Sequence, residues 1–344
     1  EVIKELLKAA EEITQLYKNG AKLGLTQEEL AFYDALTKPE HIKDFYQTAT
    51  LMSNTVSIEG GNRDNNARLT YTNYLGNSIV DNVNDQKKHT FNLNLFNRFT
   101  KWLELSSRIT YIIDDVSNRQ YTNSNNRNPV NTYVHMARST SLEELRHYKD
   151  EFGKESSTNR NTSNPYWIIY ENPTHDVRDR LQGAFNLNIK LPYGLRIAGR
   201  AGMDFFWWTG TTFQNLGGMN DPTGRVSEFT DFFKSTTFEG NLIWNKEFGQ
   251  FNIHAMAGAS TNTRTDDRRT QTVIGLVEPG FIHISNSLEK ITPEQNKYER
   301  KTNSVYGSLS IGWKNMLYID GTFRNDWSST LPIDNCSFAY PSIG

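Results

Sequence analysis

The chain has 344 residues, room for two or three ordinary domains or one large barrel, and its 37 Lys and Arg nearly balance its 39 Asp and Glu. Balanced charge gives no reason to expect attraction to nucleic acid, and the single cysteine, Cys336, excludes an internal disulfide framework and a cysteine-based zinc site. The mean hydropathy is −0.65 and no apolar run approaches about 18 residues, which excludes a membrane protein built of helices but not one built of strands. No signal peptide is visible and the first residue is not Met, so we expect an internal fragment.

Residues 1–46 have the periodicity of helices. Apolar residues recur at helical spacing in residues 2–17, and residues 26–29 form a capping box for a second helix that stops before Pro39. This pattern predicts an ordinary helical hairpin. The stretch ITQLYKNGAKLGLTQEELAFYDAL, followed by HIKDFYQ, resembles the C-terminal helical region of type I restriction enzyme R subunits. The motor and nuclease motifs of that family are absent, so the resemblance implies no activity.

From about residue 48 the helical period gives way to paired runs with a period of two. The clearest pair is VYGSLSIGWKNMLYIDGTFRNDW, residues 305–327, in which apolar and polar residues alternate on both sides of a turn at residues 314–315. This pattern predicts a β-hairpin, and strands of about 9–11 residues with one apolar and one polar face can cross an outer membrane. Four earlier pairs bring the total to about ten strands. They are centred on residues 56–58 and 69–71, 91–95 and 103–111, 185–189 and 195–205, and 238–244 and 253–257.

The connections between these predicted strands alternate in length. Connections within pairs are short, whereas those between pairs are long and polar. The long ones are residues 76–89, 114–177, 207–228, 262–301 and 328–339. Loops longer than about 15 residues are uncommon in compact domains. Outer-membrane barrels, in contrast, combine short periplasmic turns with long extracellular loops.

Aromatic residues favour the same architecture, because they cluster at both ends of the strands, where a barrel has its two interfacial girdles. One cluster lies next to short turns and consists of Trp102, Tyr193, Trp244 and Trp313. The other lies next to long loops and consists of Phe205, Trp207, Trp208, Phe229, Phe232, Phe233 and Trp327.

The last residues, GTFRNDWSSTLPIDNCSFAYPSIG, contain a pattern, RNDWSSTLP…YPS, that resembles the SusC/RagA-like family of TonB-dependent outer-membrane transporters of Bacteroidota. Three further stretches agree, VSIEGGNRDNNARLTYTNYLGNSIV, FNLNLFNRFTKWLELSSRITY and LIWNKEFGQFNIHAMAGAS. The resemblance covers about residues 48–344. The residues that carry its final motif are Arg324, Asn325, Asp326, Trp327, Tyr340 and Pro341.

This resemblance implies a barrel of about 22 strands surrounded by outer-membrane lipid in a Gram-negative cell. It also implies a plug domain inside the barrel, energy from TonB, and a SusD-like surface lipoprotein that helps to capture a glycan, an oligosaccharide or a peptide. Plug and TonB box are missing from the sequence, and so is about half of the barrel. We therefore expect a mainly β protein in which residues 47–344 are part of a transmembrane antiparallel β-barrel. Residues 1–46 would be a segment of different origin, so that residues 42–47, IKDFYQ, mark the junction of a chimera.

No combination of residues indicates catalysis, a cofactor site or a metal site. The seven histidines are scattered, and the acidic pairs at residues 114–115 and 266–267 lack EF-hand spacing. We therefore expect a protein that is not an enzyme and has no nucleic-acid partner for residues 47–344. For ligand contact we expect aromatic residues beside polar loop residues, since exposed rings stack on sugar rings or peptide side chains. These are Tyr166, Trp167, Trp207 and Trp208, for which packing within the loops, or contact with a lid protein, is the alternative.

Two other functions stay open. In the first, the helical segment defines the chain, which is then a fragment of a cytoplasmic type I restriction enzyme R subunit. In the second, the strands form a soluble extracellular β-sandwich or adhesin. Recovery in the aqueous phase without detergent would favour either of these over a barrel.

Overall fold

The computed structural model describes residues 43–119, 121, 126–137, 140–158, 161–314 and 316–344. The helical hairpin predicted before Pro39 lies outside these residues.

The described chain folds into one antiparallel sheet of eleven strands, in which every strand pairs with its neighbours in sequence. The strands are β1 (Leu51–Gly61), β2 (Asn65–Gly76), β3 (Asp85–Thr100), β4 (Leu103–Ser117), β5 (Thr174–Lys190), β6 (Leu195–Gln214), β7 (Arg225–Phe248), β8 (Phe251–Ile274), β9 (Thr292–Trp313), β10 (Leu317–Ser328) and β11 (Ser337–Ile343). The predicted mainly β, antiparallel architecture is therefore confirmed, with β1 and β11 at the two edges.

Short and long connections alternate along the whole sheet, as predicted. The short ones are residues 62–64, 101–102, 191–194, 249–250 and 314–316. The long ones are residues 77–84, 118–173, 215–224, 275–291 and 329–336. Because consecutive strands are antiparallel, all short connections lie at one end of the strands, the turn end, and all long ones lie at the other, the loop end.

Four strands are longer than the sequence pattern predicts. β6 continues to Gln214, β7 begins at Arg225, β8 continues to Ile274 and β9 begins at Thr292, so most of the loops predicted at residues 207–228 and 262–301 are strand. The extensions of β8 and β9 are largely polar on both faces, and those of β6 and β7 carry aromatic residues on both faces, so the alternation of apolar and polar residues is lost. Backbone ladders and cross-strand pairs hold them instead, such as the 2.9 Å hydrogen bond between the hydroxyls of Ser227 and Thr272.

Strand register divides the sheet into two faces. Leu309 of β9 stands opposite Ala255 of β8 and Gly321 of β10, so these residues share one face. We call it the apolar face, because it carries large apolar side chains such as Leu309 and Ile319, which are 46% and 57% exposed. The opposite face, which includes Ser310, is the polar face.

The longest connection, residues 118–173, folds into a cap at the loop end. It carries three short helices, α1 (Pro129–Val134), α2 (Leu142–Arg146) and α3 (Pro165–Glu171). Each begins at a capping side chain, Asn128, Ser141 and Asn164 respectively. The buried residues of this cap pack with buried residues of two other segments in a cluster that we call the cap core, which consists of Phe45, Val80, Val83, Leu142, Leu145 and Ile169.

Phe45 joins the cap core from outside the loop. Its side chain is 5% exposed and its ring stacks on Tyr133 at a centroid distance of 4.2 Å. Tyr46 packs against the same core. The segment before β1 therefore lies at the loop end of the sheet.

A second cluster, the strand-top cluster, lies at the loop ends of β6, β7 and β8. It consists of Phe213, Val226, Val273 and Leu276. Register places the first three on the apolar face, where residues of two loops, Leu216 and Ile284, cover them.

Candidate functional site

Aromatic rings and charged groups lie side by side on the polar face of β6, β7 and β8, toward the loop end. Register brings them together, because Trp208, Asp231 and Arg268 stand directly opposite one another across the three strands. Phe229 and Phe233 flank Asp231 along β7, two residues away on either side. We call this group the aromatic wall. It consists of Trp208, Phe229, Asp231, Phe233, Arg264 and Arg268.

The rings of the wall contact each other and two guanidinium groups. Trp208 meets Phe229 edge-on at a centroid distance of 5.1 Å. The guanidinium carbon of Arg268 lies 4.9 Å from the Phe229 ring centre, and that of Arg264 lies 5.1 Å from the Phe233 ring centre. Such contacts hold long, charged side chains flat against the wall, and each contributes about 0.5–2 kcal/mol.

Asp231 is the carboxylate at the centre of the wall. Its side chain is 18% exposed, and its Oδ2 atom lies 3.9 Å from Nη1 of Arg268. That distance is too long for a hydrogen bond, and within the described residues neither side chain forms one elsewhere. A partly buried carboxylate and a stacked guanidinium thus leave an acceptor and a set of donors that a bound molecule can satisfy.

Asp176 of β5 anchors the wall to the cap. It is 5% exposed and accepts hydrogen bonds from Nε and Nη2 of Arg119, at 2.7 and 2.9 Å, and from Nε1 of Trp208, at 2.8 Å. The hydrogen bonds to Asp176 raise the pKa of the Arg119 guanidinium. Since Arg119 lies at the start of the cap, this ion pair fixes both the Trp208 ring and the base of the cap.

A groove of about 380 Å³ continues the polar face toward the turn end. It begins at Asp204, which pairs with Arg180 through two hydrogen bonds of 2.8 and 2.5 Å. The other polar residues that line it are Arg108, Thr110, Gln182, Ser235 and Thr237. The polar face therefore offers a continuous surface of hydrogen-bonding groups from the aromatic wall downward.

The structure separates the two tryptophans expected to contact a ligand. Both belong to β6 rather than to a loop, so successive side chains point to opposite faces. Trp208 lies on the polar face in the aromatic wall. Trp207 lies on the apolar face, 52% exposed, with its ring centre 5.1 Å from that of Phe232.

The other expected pair, Tyr166 and Trp167, lies in α3 inside the cap. Trp167 is 1% exposed and presents no ring to a ligand, which contradicts its expected exposure and agrees with the packing alternative. The helix explains the correction, because its inner side carries the apolar residues Trp167, Ile168 and Ile169 into the loop interior. Tyr166 is half-buried and packs against the cap core.

Residues of the final motif join β9, β10 and β11. Arg324 donates a 2.9 Å hydrogen bond to Asp326 and a 3.1 Å hydrogen bond to the Ser304 hydroxyl of β9. Asn325 donates to the Ser337 hydroxyl of β11 at 2.9 Å. Trp327 shares the apolar face with Asn325, and two β11 residues, Tyr340 and Pro341, pair with Arg324 and its neighbour Phe323.

Sequence-based expectations do not include Asp231, Arg264 or Arg268, because residues 207–228 and 262–301 are predicted as long loops around a short β7. The predicted β7 pattern does not mark Asp231 either, because Phe229, Asp231 and Phe233 have the opposite strand parity to Phe238 and Leu242. Strand parity also corrects the girdle expected next to the long loops, because its aromatic residues lie on two opposite faces of the sheet. Phe205, Trp207, Phe232 and Trp327 lie on the apolar face, whereas Trp208, Phe229 and Phe233 lie on the polar face.

Two absences hold for the part of the chain that the structure describes. It contains no group of three or more His, Cys, Asp or Glu side chains that could hold a metal ion. None of its helices has the length and apolar character needed to span a membrane.

One family model matches the N-terminal part of the chain. Residues 1–58 match the family described as type I restriction enzyme HindI endonuclease subunit-like, C-terminal. This match includes the first residues of β1, which begins at Leu51. No curated protein matches the chain.

Solved structures that resemble the fold are TonB-dependent outer-membrane proteins. The structure of the RagAB peptide transporter superposes with a TM-score of 0.73 at 17% identity, covering 88% of this chain and 35% of that one. The outer-membrane transporter YddB from Escherichia coli gives a TM-score of 0.54 at 8% identity, covering 86% and 36%. The ferripyoverdine receptor of the outer membrane of Pseudomonas aeruginosa gives 0.52 at 12% identity, covering 86% and 38%.

These likenesses confirm the predicted partial β-barrel as the fold of the chain. The chain spans about a third of the length of the proteins it resembles.

Proposed function

We propose that residues 47–344 form part of the wall of an outer-membrane, TonB-dependent importer, with the apolar face toward lipid and the polar face toward the lumen. The observation that carries this proposal is the division of the sheet by register. Exposed apolar side chains lie on one face of the sheet, hydrogen-bonding groups lie on the other, and all long connections lie at the same end of the strands. Only a sheet between lipid and water gains from all three features together.

The ligand is proposed to bind at the aromatic wall and to be a glycan, an oligosaccharide or a peptide. Rings beside an unsatisfied carboxylate and guanidinium suit the stacking surfaces and the hydrogen-bonding groups of these molecules. The RagAB proteins are described as a peptide transporter, which supports the peptide within this set. A SusD-like lipoprotein would cover the loop end, and TonB would supply energy through a plug domain.

Fractionation tests the membrane part of this proposal. The full chain, expressed with an export signal in a Gram-negative host, should sediment with outer membranes, resist extraction at alkaline pH and require detergent for solubility. Recovery in the aqueous phase would overturn the proposal and favour a soluble sandwich.

Two neighbouring tryptophans test the ligand part. Trp208→Phe should weaken the binding of oligosaccharide or peptide pools to the detergent-folded chain, because the smaller phenyl ring offers less stacking surface and has no N–H to donate to Asp176. Asp231→Asn should weaken it as well. Trp207→Phe is the matched control, since the adjacent ring lies on the opposite face. Equal binding by the Trp207 and Trp208 variants would place the ligand elsewhere.

Residues 1–46 are proposed to be a segment of different origin, joined to the barrel part as in a chimera. The family match to residues 1–58 favours this second proposal. Phe45 and Tyr46, however, pack in the cap core with residues of the barrel part. Chains that begin at residue 43 and at residue 47 test where the barrel part starts. If residues 45 and 46 belong to it, the shorter chain alone should lose the near-ultraviolet circular dichroism of the cap.

A further inference from the structure

A groove of about 570 Å³ crosses the apolar face over β5, β6 and β7. Its floor consists of small residues that register brings together, with Gly199 opposite Gly240 and Gly240 opposite Ala259. Large apolar side chains stand on both sides of this floor. They are Leu105, Phe185 and Leu187 on one side and Phe238 on the other. A Cβ atom added at Gly240 would meet nothing within 4 Å, so the space above this glycine is open.

Lys234 provides a charged group on the same strand and the same face. It lies four residues from Phe238 toward the loop end, a distance of about 13 Å along β7. Its ammonium group lies 5.8 Å from the Phe205 ring centre, and it forms no ion pair with any residue that the structure describes. Its register partners are Phe205 and Thr265, so no acidic residue stands directly opposite it.

The groove and Lys234 lie at different positions along β7 relative to the aromatic residues at the two ends of the strands. Phe205 and Trp207 of β6 and Phe232 of β7 lie next to Lys234, and Trp244 and Phe248 lie near the turn end of the same strand. Twelve residues separate Phe232 from Trp244, a rise of about 40 Å along the strand, which a tilt of about 45° reduces to the height of a hydrocarbon layer. Lys234 thus lies at the aromatic level of the loop end, and the groove lies between the two aromatic levels.

We propose that this groove binds one acyl chain of a phosphate-bearing membrane lipid, with the phosphate at Lys234. The proposal rests on the proposed function, because it requires the apolar face to lie in lipid. A floor made of glycine and alanine lets a linear chain lie below the level of the neighbouring side chains. Lys234 has no acidic residue directly opposite it, so an anionic headgroup can pair with it, and the distance of about 13 Å between Lys234 and Phe238 along β7 lets an acyl chain reach from this headgroup into the groove.

Native mass spectrometry of the full chain, folded in dodecyl maltoside micelles with dioleoylphosphatidylglycerol, tests the proposal. The wild-type chain should retain one lipid. Gly240→Leu should reduce retention at least about tenfold, because its side chain fills the groove. Gly321→Leu is the matched control, since Gly321 lies on the same face, also has open space above it and is outside the groove. Equal retention by these two variants would overturn the proposal.

A second pair of variants tests the headgroup and decides the case if Gly240→Leu does not fold. Lys234→Gln should reduce retention about fivefold. Lys246→Gln, on the same strand and face near the turn end, should leave it unchanged. Dioleoylglycerol, which has the same acyl chains and no phosphate, should be retained no better by wild type than by Lys234→Gln. Equal effects of the two lysine variants would overturn the phosphate contact.

The outcomes also separate this proposal from the proposed function. A chain that needs no detergent contradicts the function itself. A chain that behaves as an outer-membrane barrel while Gly240→Leu keeps its lipid contradicts only the groove. A doubled mass that Gly240→Leu abolishes would assign the groove to a second copy of the chain and overturn the lipid.

Discussion

Two stretches of β7 show how one strand and one face can be used in two ways. Near the middle of the strand, Phe238 and Leu242 on the apolar face are 57% and 47% exposed. Near the loop end, Val226 on the same face is 0% exposed, because Phe213, Val273 and Leu276 surround it. The middle of the sheet leaves its apolar face uncovered, whereas the loop end covers it with protein.

The difference indicates the solvent that each region meets. In water an uncovered row of large apolar side chains is costly, at about 25 cal/mol for each Å² exposed, whereas lipid carries no such cost. If the middle of the sheet lies in lipid, as proposed, the strand ends that extend beyond it require their own small cores. The loops supply these cores, as the strand-top cluster and the cap core. Substitutions near the middle of the sheet should therefore change folding in lipid, whereas substitutions in the cores at the loop end should change stability in water.

The largest effect is expected in the cap core. Phe45→Ala should destabilise the cap by about 3–5 kcal/mol, because the deletion of a buried ring leaves a cavity against Tyr133. Urea unfolding followed by the fluorescence of the buried Trp167 would measure the loss. Phe152→Ala is the control in the same cap, since Phe152 is 75% exposed and its truncation should cost little. Equal shifts in the two urea midpoints would show that Phe45 is not part of the core.

A charge on the apolar face should have the next largest effect, and only where lipid is present. Leu309→Arg and Ile319→Arg should each cost about 2–4 kcal/mol of folding free energy in lipid vesicles. Ser310→Arg, one residue away on the polar face, should cost far less. Folding yields in vesicles across a urea series would compare the three variants. Similar tolerance at all three positions would contradict the assignment of the faces.

The comparison of these regions also explains what could be predicted from the sequence. Alternation predicts the strand pairs that have one apolar and one polar face, as in β9 and β10, whose connecting turn lies at the predicted residues. It does not predict the extensions of β6 to β9, because polar residues occupy both faces of β8 and β9 there and aromatic residues occupy both faces of β6 and β7, so neither face is distinguished by its apolar residues. The aromatic wall lies in these extensions. For that reason Trp207 and Trp208 are indistinguishable by sequence context and differ only once strand parity is known.

The cap could not be predicted for a different reason. Its core depends on contacts between segments that lie far apart in the sequence, such as Phe45 with Tyr133, and no local period in the sequence reveals such contacts. The burial of Trp167 is a consequence of the same packing. The N-cap residues Ser141 and Asn164 are local signals, but helices as short as α2 and α3 offer too few turns to show a helical period.

Alkaline pH should loosen the cap and leave the strands unaffected. Burial, with smaller contributions from Tyr46, Tyr166 and Asp44, raises the pKa of Tyr133 from 10.0 to about 12. Its contribution to stability is therefore fully present below pH 10, where the phenol is neutral in both the folded and the unfolded state. The contribution is lost as the pH rises toward about 12, because the unfolded state loses the proton first.

Tyrosinate absorbance and near-ultraviolet circular dichroism, recorded from pH 9 to pH 12, would follow this transition. Tyr133→Phe should move it to higher pH, since the group that must ionise is absent. Tyr193→Phe is the control, because Tyr193 is 81% exposed in a connection at the turn end. A transition unchanged by Tyr133→Phe would show that another group governs the alkaline loss.

The smallest effect is expected at the start of α2, where Ser141 and Glu144 form a capping box. Glu144 N donates to Ser141 Oγ at 3.1 Å, and Ser141 N donates to Glu144 Oε2 at 3.0 Å. Ser141→Ala should cost about 1 kcal/mol, because an amide at the helix N-terminus loses its acceptor, and Ser141→Asp should restore most of it. The loss should appear in the urea midpoint of Trp167 fluorescence and be absent from vesicle folding of the strands. Since α2 contributes Leu142 and Leu145 to the cap core, a loss shared equally by both measurements would mean that cap and sheet unfold as one unit.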